Sequence, residues 1–148
     1  MVVSEPETLI QEWKSQLQAS GYRLTEPRRA VVETVASSQQ VLSPLDIYER
    51  AHQRYAKLGL VTVYRTLEKL EELGLVQRVH QDTGCQAFAA STPGHQHLLV
   101  CQRCGRVEYF SGDQLDRLIA EVASESGYQI REHWLQLFGL CSQCRAEE

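Results

Sequence analysis

The sequence predicts an α+β chain in which a set of short helices closed by a β-hairpin precedes a smaller unit of three strands and one helix. Three observations carry that expectation. Apolar residues recur at helical spacing in four stretches before Gly74, a strand–turn–strand pattern follows, and two Cys-x-x-Cys pairs bracket the remainder at Cys101/Cys104 and Cys141/Cys144.

The first helix carries Leu9, Ile10, Trp13 and Leu17 on one face and stops before Gly21. Thr25 is placed to cap a second, with Pro27 in its first turn and Val31, Val32 and Val35 inward. Ser43-Pro44-Leu45-Asp46 reads as cap, first-turn proline and acidic third residue, opening a third helix through Ile47, Tyr48 and Ala51. Thr62 is the expected cap of a fourth, with Val63, Leu67 and Leu70 buried and Gly74 as its stop. That helix shows Tyr64, Arg65, Glu68 and Lys69 on its other face. An aromatic and an arginine at an exposed N-terminal end suit insertion in a DNA major groove.

Residues 75–80 and 85–88 read as two strands joined by Gln81-Asp82-Thr83-Gly84. Helices followed by such a hairpin make a winged helix, and a four-residue turn sets His80 opposite Cys85, close enough to share an ion. The expected division is a winged-helix domain over 1–90, a hinge over 91–94 and a metal-binding dimerisation domain over 95–148. In the last, Leu98–Val100 and Arg106–Phe110 are short strands around the first thiol pair. A helix after Gly112 turns Leu115, Leu118, Ile119 and Val122 inward, and a strand from about Gln129 to Leu140 contains His133 and delivers the second pair. So small a unit gains from a metal and from pairing with a second copy, which would also fix the distance between two DNA-reading helices.

Two Cys-x-x-Cys pairs far apart in sequence are the pattern of a structural zinc site, each supplying two thiolates from one turn. Cys85 makes the cysteine count odd, and Met1-Val2-Val3-Ser4-Glu5 has neither the basic start nor the apolar core of a signal peptide, so a cytoplasmic chain with reduced thiols is expected. No apolar run reaches the roughly 20 residues of a membrane helix. The net charge is −4, with ten Lys/Arg against eleven Asp/Glu over residues 1–90 and five against eight over 91–148. DNA contact must therefore be local, on basic side chains gathered on one face of the N-terminal half: Arg23, Arg28 and Arg29 for phosphates, with Lys57 beside them. A zinc enzyme is disfavoured, since no carboxylate stands as general base beside His80 or Cys85 and a winged helix offers no substrate pocket.

Several ordered motifs together resemble the ferric uptake regulator family of metal-sensing transcription factors. They are Gly21-x-Arg23-x-Thr25-x-Pro27-Arg28, Thr62-Val63-Tyr64-Arg65-Thr66-Leu67, the wing, the His95-x-His97 ahead of Cys101-x-x-Cys104, and the terminal Cys141-x-x-Cys144; the resemblance spans about residues 8 to 145. It implies a homodimeric, metal-activated DNA-binding protein, usually a repressor, acting on AT-rich inverted repeats, with Tyr64 and Arg65 touching double-stranded DNA.

The departures from the family pattern bear on the metal. Iron and peroxide sensors of the family carry a His just before the third helix, where this chain has Val41, and a carboxylate after the strand aromatic, where Ala89 follows Phe88. Their two further His fall at Gln96 and Leu98. What remains near the hinge is His80, Cys85, His95 and His97, a sulfur- and imidazole-containing set that suits zinc better than ferrous iron. The whole resembles the zinc uptake regulator branch, with zinc both structural and effector, although the branch's usual cysteine position is occupied here by Ser91. A second family site maps onto His95, His97, Asp116 and His133, with Glu108 as a substitute ligand. His95 and His97 either join the wing ligands or join Asp116 and His133; an iron- or peroxide-responsive regulator is the alternative reading. His52 is assigned no role.

Overall fold

In the computed structural model, residues 5–92 and 96–148 are described. Four helices lead the chain: α1 (Pro6–Ala19), α2 (Glu26–Ser37), α3 (Pro44–Arg54) and α4 (Leu60–Glu72). The capping box at α3 is the one the sequence spells out, with the Ser43 hydroxyl accepting from the Asp46 amide and the Asp46 carboxylate accepting from the Ser43 amide. Thr25 caps α2 through its backbone alone. The start of α4 falls earlier than expected: Gly59 is its cap and Leu60 its first residue, so Thr62 lies inside the first turn. There Thr62 offers its carbonyl to the Thr66 hydroxyl at 2.7 Å.

These helices bury one core. Trp13, Leu17, Val31, Val35, Ile47, Val63, Leu67 and Leu70 meet at its centre, and Val76 and Phe88 from the hairpin close it. Strands β1 (Val76–Arg78) and β2 (Phe88–Ala90) form the wing, paired antiparallel with Val76 opposite Ala90 and Arg78 opposite Phe88.

That register differs from the expected one. Only three residues of each strand pair, and the amide of Val79 still donates to the Ala87 carbonyl at 2.8 Å. Continuing the same pairing sets His80 opposite Gln86 rather than Cys85. A one-residue slip reverses the face of every side chain in a pleated strand, so His80 and Cys85 do not face each other.

In the C-terminal half, β3 (His97–Cys101) is the centre of a three-stranded sheet, antiparallel to β4 (Val107–Phe110) and parallel to β5 (Gln136–Gly139). Helix α5 (Asp113–Ser126) makes the crossover, and a short α6 (Ser142–Ala146), absent from the sequence expectation, follows β5. The last strand is shorter than expected: residues 129–135 stay outside the sheet, with Trp134 exposed. The inward face expected for α5 is open too. None of its residues is buried, and Leu118 and Val122 stand about half exposed at 54% and 46%. An apolar helix face without cover in one chain is the face a second copy would bury.

The two sheets are joined by a second, smaller core. Val79, Ala87 and Ala89 of the wing pack on Leu98, Val100 and Val107, with Val41 and Tyr109 at the rim. Backbone bonds reinforce the seam. Val107 donates to the Gln39 carbonyl (2.9 Å) and Val41 to the Gly105 carbonyl (2.8 Å), while the Tyr109 hydroxyl donates to Ala90. Burial pushes that phenol up to about 12, so it stays a donor across the physiological range. Leu98 is fully buried at the middle of this seam. Leu98→Ala is expected to cost about 2–5 kcal/mol of unfolding free energy, measured by urea titration, because the cavity sits between two rigid sheets.

Candidate metal centre and nucleic-acid interface

Parallel pairing of β3 with β5 sets Cys101 opposite Gly139, and the chain runs on two residues to Cys141. Each strand thus ends in its own thiol turn, and the turns meet. The sulfurs of Cys101, Cys104, Cys141 and Cys144 all lie within 4.8 Å of one another, and Cys104 and Cys141 are 3.9 Å apart. Four thiolates at about 2.3 Å from a tetrahedral zinc would be separated by about 3.8 Å, so the donor set and its spacing fit that ion. It is the one such cluster among the described residues.

The turns are held by their own backbone. Gly105 donates to the Cys101 carbonyl (2.9 Å), Gln102 to the Gly139 carbonyl (2.8 Å) and Arg103 Nη1 to the Cys144 carbonyl (2.9 Å). The Cys141 amide points at the Cys101 sulfur (3.3 Å), and the Cys144 amide at that of Cys141 (3.5 Å). Backbone N–H groups, that of Cys104 first and then that of Cys141, hold the Cys101 thiol well below its ordinary range, at about 6. Its hydrogen bond to Cys141, followed by burial, pushes Cys144 up to about 12. Cys101 is the thiol already poised as thiolate, whereas Cys144 would lose its proton to solvent only as a cation binds.

The remaining candidate ligands divide between the two faces of the C-terminal sheet. Side chains alternate along β3, so Leu98 and Val100 point at the wing while His97, Leu99 and Cys101 point away. His80 is on the wing side: its ring meets Trp134 edge-on at 5.7 Å and Phe138 at 6.5 Å, and its amide donates to Gln136 Oε1 at 3.0 Å. His80 is also 3.6 Å from the Asp82 carboxylate. Cys85 is exposed near the wing tip.

On the far side, His97 is buried, at 7% exposure, with its ring 5.3 Å from that of His133 and 5.5 Å from that of Phe110. Two imidazoles sharing one tetrahedral ion at about 2.0 Å have ring centres about 5 Å apart, so the pair fits such an ion. Gly112 makes room for it. It sits at φ +62°, and a Cβ there would stand 2.7 Å from the His97 ring carbon Cδ2. Asp116 follows one turn later in α5, on the same side of the helix as Gly112. Glu108 shares the outward face, half exposed and paired with Arg106 at 3.3 Å. His95 lies outside the described residues.

A sequence model described as the ferric uptake regulator family matches residues 19–138. The ferric uptake regulation protein of Neisseria meningitidis is 32% identical over 134 residues, covering 90% of this chain and 93% of its own. The zinc uptake regulation protein of Mycobacterium tuberculosis is 32% identical over 130 residues, covering 88% and 100%. Among solved structures, a zinc uptake regulator complexed with zinc and DNA superposes with a TM-score of 0.74 at 21% identity, covering 98% of each chain, which shows the shared fold.

The chain belongs to the ferric uptake regulator family. It is a metal-responsive transcription regulator. The family match takes in α2 through α5 and all but the last residue of β5, so the helices expected to read DNA and strand β3, which carries His97 and Cys101, fall inside it.

The residues expected from the sequence to meet DNA sit on α4, on the turn after α1, at the start of α2 and just before α4. Tyr64 and Arg65 are exposed, with Tyr64 at 45%. Arg23 is exposed in the turn, Arg29 is exposed and pairs with Glu26 at 3.4 Å, and Lys57 is exposed before α4. Arg28 differs: it is partly buried, its guanidinium lies 4.5 Å over the Tyr22 ring, and Nη1 donates to the Arg23 carbonyl at 2.7 Å. Sequence reasoning missed Gly112 as the support of His97 and Gln40 as a partner of the thiol turn, to whose Cys104 carbonyl its amide donates at 2.9 Å. A glycine directly before the α5 pattern was the available signal for the first; no signal in the sequence pointed to the second.

Without a metal, the backbone N–H groups of Cys104 and Cys141 hold the Cys101 thiol below its ordinary range, at about 6. Above that pH zinc finds the thiolate ready; below it, the ion must displace one more proton. The pH dependence of zinc affinity should therefore steepen by about one proton per ion as pH falls through that value. Chelator competition at about pH 5.5 and about pH 7.5 measures it, and a constant slope across the range would show that Cys101 is not the poised thiolate.

Proposed function

We propose that this regulator is a homodimeric, zinc-responsive repressor that binds AT-rich inverted-repeat operators of zinc uptake genes when a second, exchangeable zinc is held in the C-terminal half. In this reading the chain divides near residues 91–94 into DNA-binding and dimerisation domains. The observation that carries the choice of metal is the packing of Val41 and Ala89. At the two positions where iron and peroxide sensors of the family carry a His and a carboxylate, this chain has apolar side chains committed to the seam between wing and sheet. Ligands for an oxygen- and nitrogen-rich clamp are thus replaced by a dry contact. The Mycobacterium tuberculosis zinc uptake regulation protein, matched along its whole length, supports the same choice.

The exchangeable ion would be held by His97 and His133, with Asp116 and His95 completing the set. The adjacency of the two rings and the separation of His80 and Cys85 onto the wing side support this arrangement over a clamp shared with the wing. The ion would supply a tetrahedral cross-link between β3, the start of α5 and the segment before β5. The protein's own part is to pre-place the ligands. Gly112 lets α5 begin against the His97 ring, and Phe110 packs on that ring from β4. The exposed faces of α5 and β5, including Leu118, Val122 and Leu137, are the surface a second copy would cover. Fixing that surface would fix the spacing of two α4 helices, and so bias a population of dimers toward the operator-binding form.

Metal analysis of the protein purified under reducing conditions should find about two zincs per chain, falling to about one after dialysis against a mild chelator. His97→Ala should hold about one from the start and lose zinc-dependent operator retention, while Cys85→Ser keeps both. Iron in the removable fraction would favour the iron-responsive reading that the Neisseria meningitidis relative represents equally well by identity. A zinc response lost in Cys85→Ser and kept in His97→Ala would return the site to the wing.

A further inference from the structure

We infer that Arg28 and Tyr22 form a positioning couple that aims Arg23 at DNA and ties it to the recognition helix, so that Arg28 itself does not neutralise a phosphate. The inference rests on the reading above, that Arg23, Tyr64 and Arg65 face the duplex.

Arg28 occupies the third position of α2, in the first turn. A positive charge there opposes the helix dipole, so its place needs compensation from contacts. Two are present. The guanidinium plane lies 4.5 Å over the Tyr22 ring, and Nη1 donates to the Arg23 carbonyl at 2.7 Å. One face of the cation and one of its donors are thereby spent inside the protein. Arg23 and Arg29 remain exposed on either side, whereas Arg28 is partly covered.

Tyr22 carries the connection onward. Its amide donates to the Leu17 carbonyl at 3.0 Å, anchoring the turn to the end of α1. At its other end the hydroxyl stands 3.5 Å from Thr66 Oγ1, which is fully buried in α4 and donates to the Thr62 carbonyl at 2.7 Å. A single ring therefore touches Arg28, the Arg23 turn and the helix that shows Tyr64 and Arg65. Two basic contacts on different elements can meet one duplex only if their separation is fixed, and this ring fixes it.

The test uses full-length, zinc-loaded protein and an AT-rich inverted-repeat duplex, with affinity measured against salt concentration. Tyr22→Leu removes no charge, yet should weaken binding about tenfold and lower the salt slope by about one, because Arg23 is no longer held to its phosphate. Tyr22→Phe keeps the ring under the cation but loses the hydroxyl at Thr66, and should weaken binding by less than Tyr22→Leu does, with the slope nearly unchanged; a loss as large as that of Tyr22→Leu would show that the ring–cation contact contributes nothing and overturn the couple. Arg28→Gln should weaken binding in the native background and add nothing in the Arg23→Ala background. Additive losses, each with its own decrease in slope, would show that Arg28 meets a phosphate directly and overturn the inference. So would an unchanged slope in Tyr22→Leu. If Arg23→Ala alone changes neither affinity nor slope, the assignment of Arg23 to DNA fails, and the coupling falls with it; helix content by circular dichroism confirms that each variant is folded.

Discussion

Convergence of four sulfurs is the constraint on which the C-terminal half depends. The three-stranded sheet has only four paired residues on each side of β3, and α5 buries nothing of its own within one chain. Such a unit has too little apolar burial to offset the entropy of ordering its backbone. The thiol turns after β3 and β5 answer that deficit at the one point where it matters, the end of a parallel pair whose connection is a long crossover. An ion joining them would close that loop covalently in effect, and would fix which residue of β5 lies beside which residue of β3. Gln102 donating to Gly139 shows the same register held by backbone alone.

From that point the constraint passes to the N-terminal half along a short path. The carbonyls of Cys104 and Gly105, inside the first thiol turn, accept from Gln40 Nε2 and the Val41 amide, and Gln40 in turn accepts from Arg50 of α3. The segment Gln39–Leu42 is thus stitched to the C-terminal sheet on one side and, through the Leu42–Phe88 bridge, to the wing on the other. Since Ser43 caps α3 immediately afterwards, the helix that precedes α4 begins from a point set by the thiol turn. On the proposed reading this contact would couple a metal at the four cysteines to DNA-reading geometry without any ligand shared between them.

Local signals in the sequence were read well where chemistry is local. The capping box at Ser43, the placement of Trp13 and Leu17 in the core, and the meeting of the two Cys-x-x-Cys pairs each follow from spacing over a few residues or from a donor set with few alternatives. Quantities set by tertiary pairing were harder. The wing register slipped by one, because the turn after Val79 contains no residue pair that dictates its length, and the same register carried on sets Gln86 rather than Cys85 opposite His80. The long final strand shortened to Gln136–Gly139, since residues 129–135 have no partner strand. For α5 the apolar stripe was legible, but a stripe does not say whether its cover comes from the same chain.

Val41 illustrates how one substitution changes the physics of a hinge. A histidine at that place could bridge the halves only by way of a metal, with the bridge present or absent according to the ion. Valine at the same place packs on the seam formed by Val79, Ala89, Leu98 and Val107, and its amide is already bonded to Gly105. Apolar contact of this kind is always on; it neither titrates nor exchanges. On the proposed reading such a chain does not use wing-to-sheet closure as its metal switch, since apolar contact would favour the closed form before any second ion arrives. On that reading the regulated step lies on the far face of the sheet: His97 against Gly112, His133 on the segment outside the sheet, and the uncovered side of α5. Metal sensing and dimer geometry would share that face, which places the switch between two chains rather than between two halves of one.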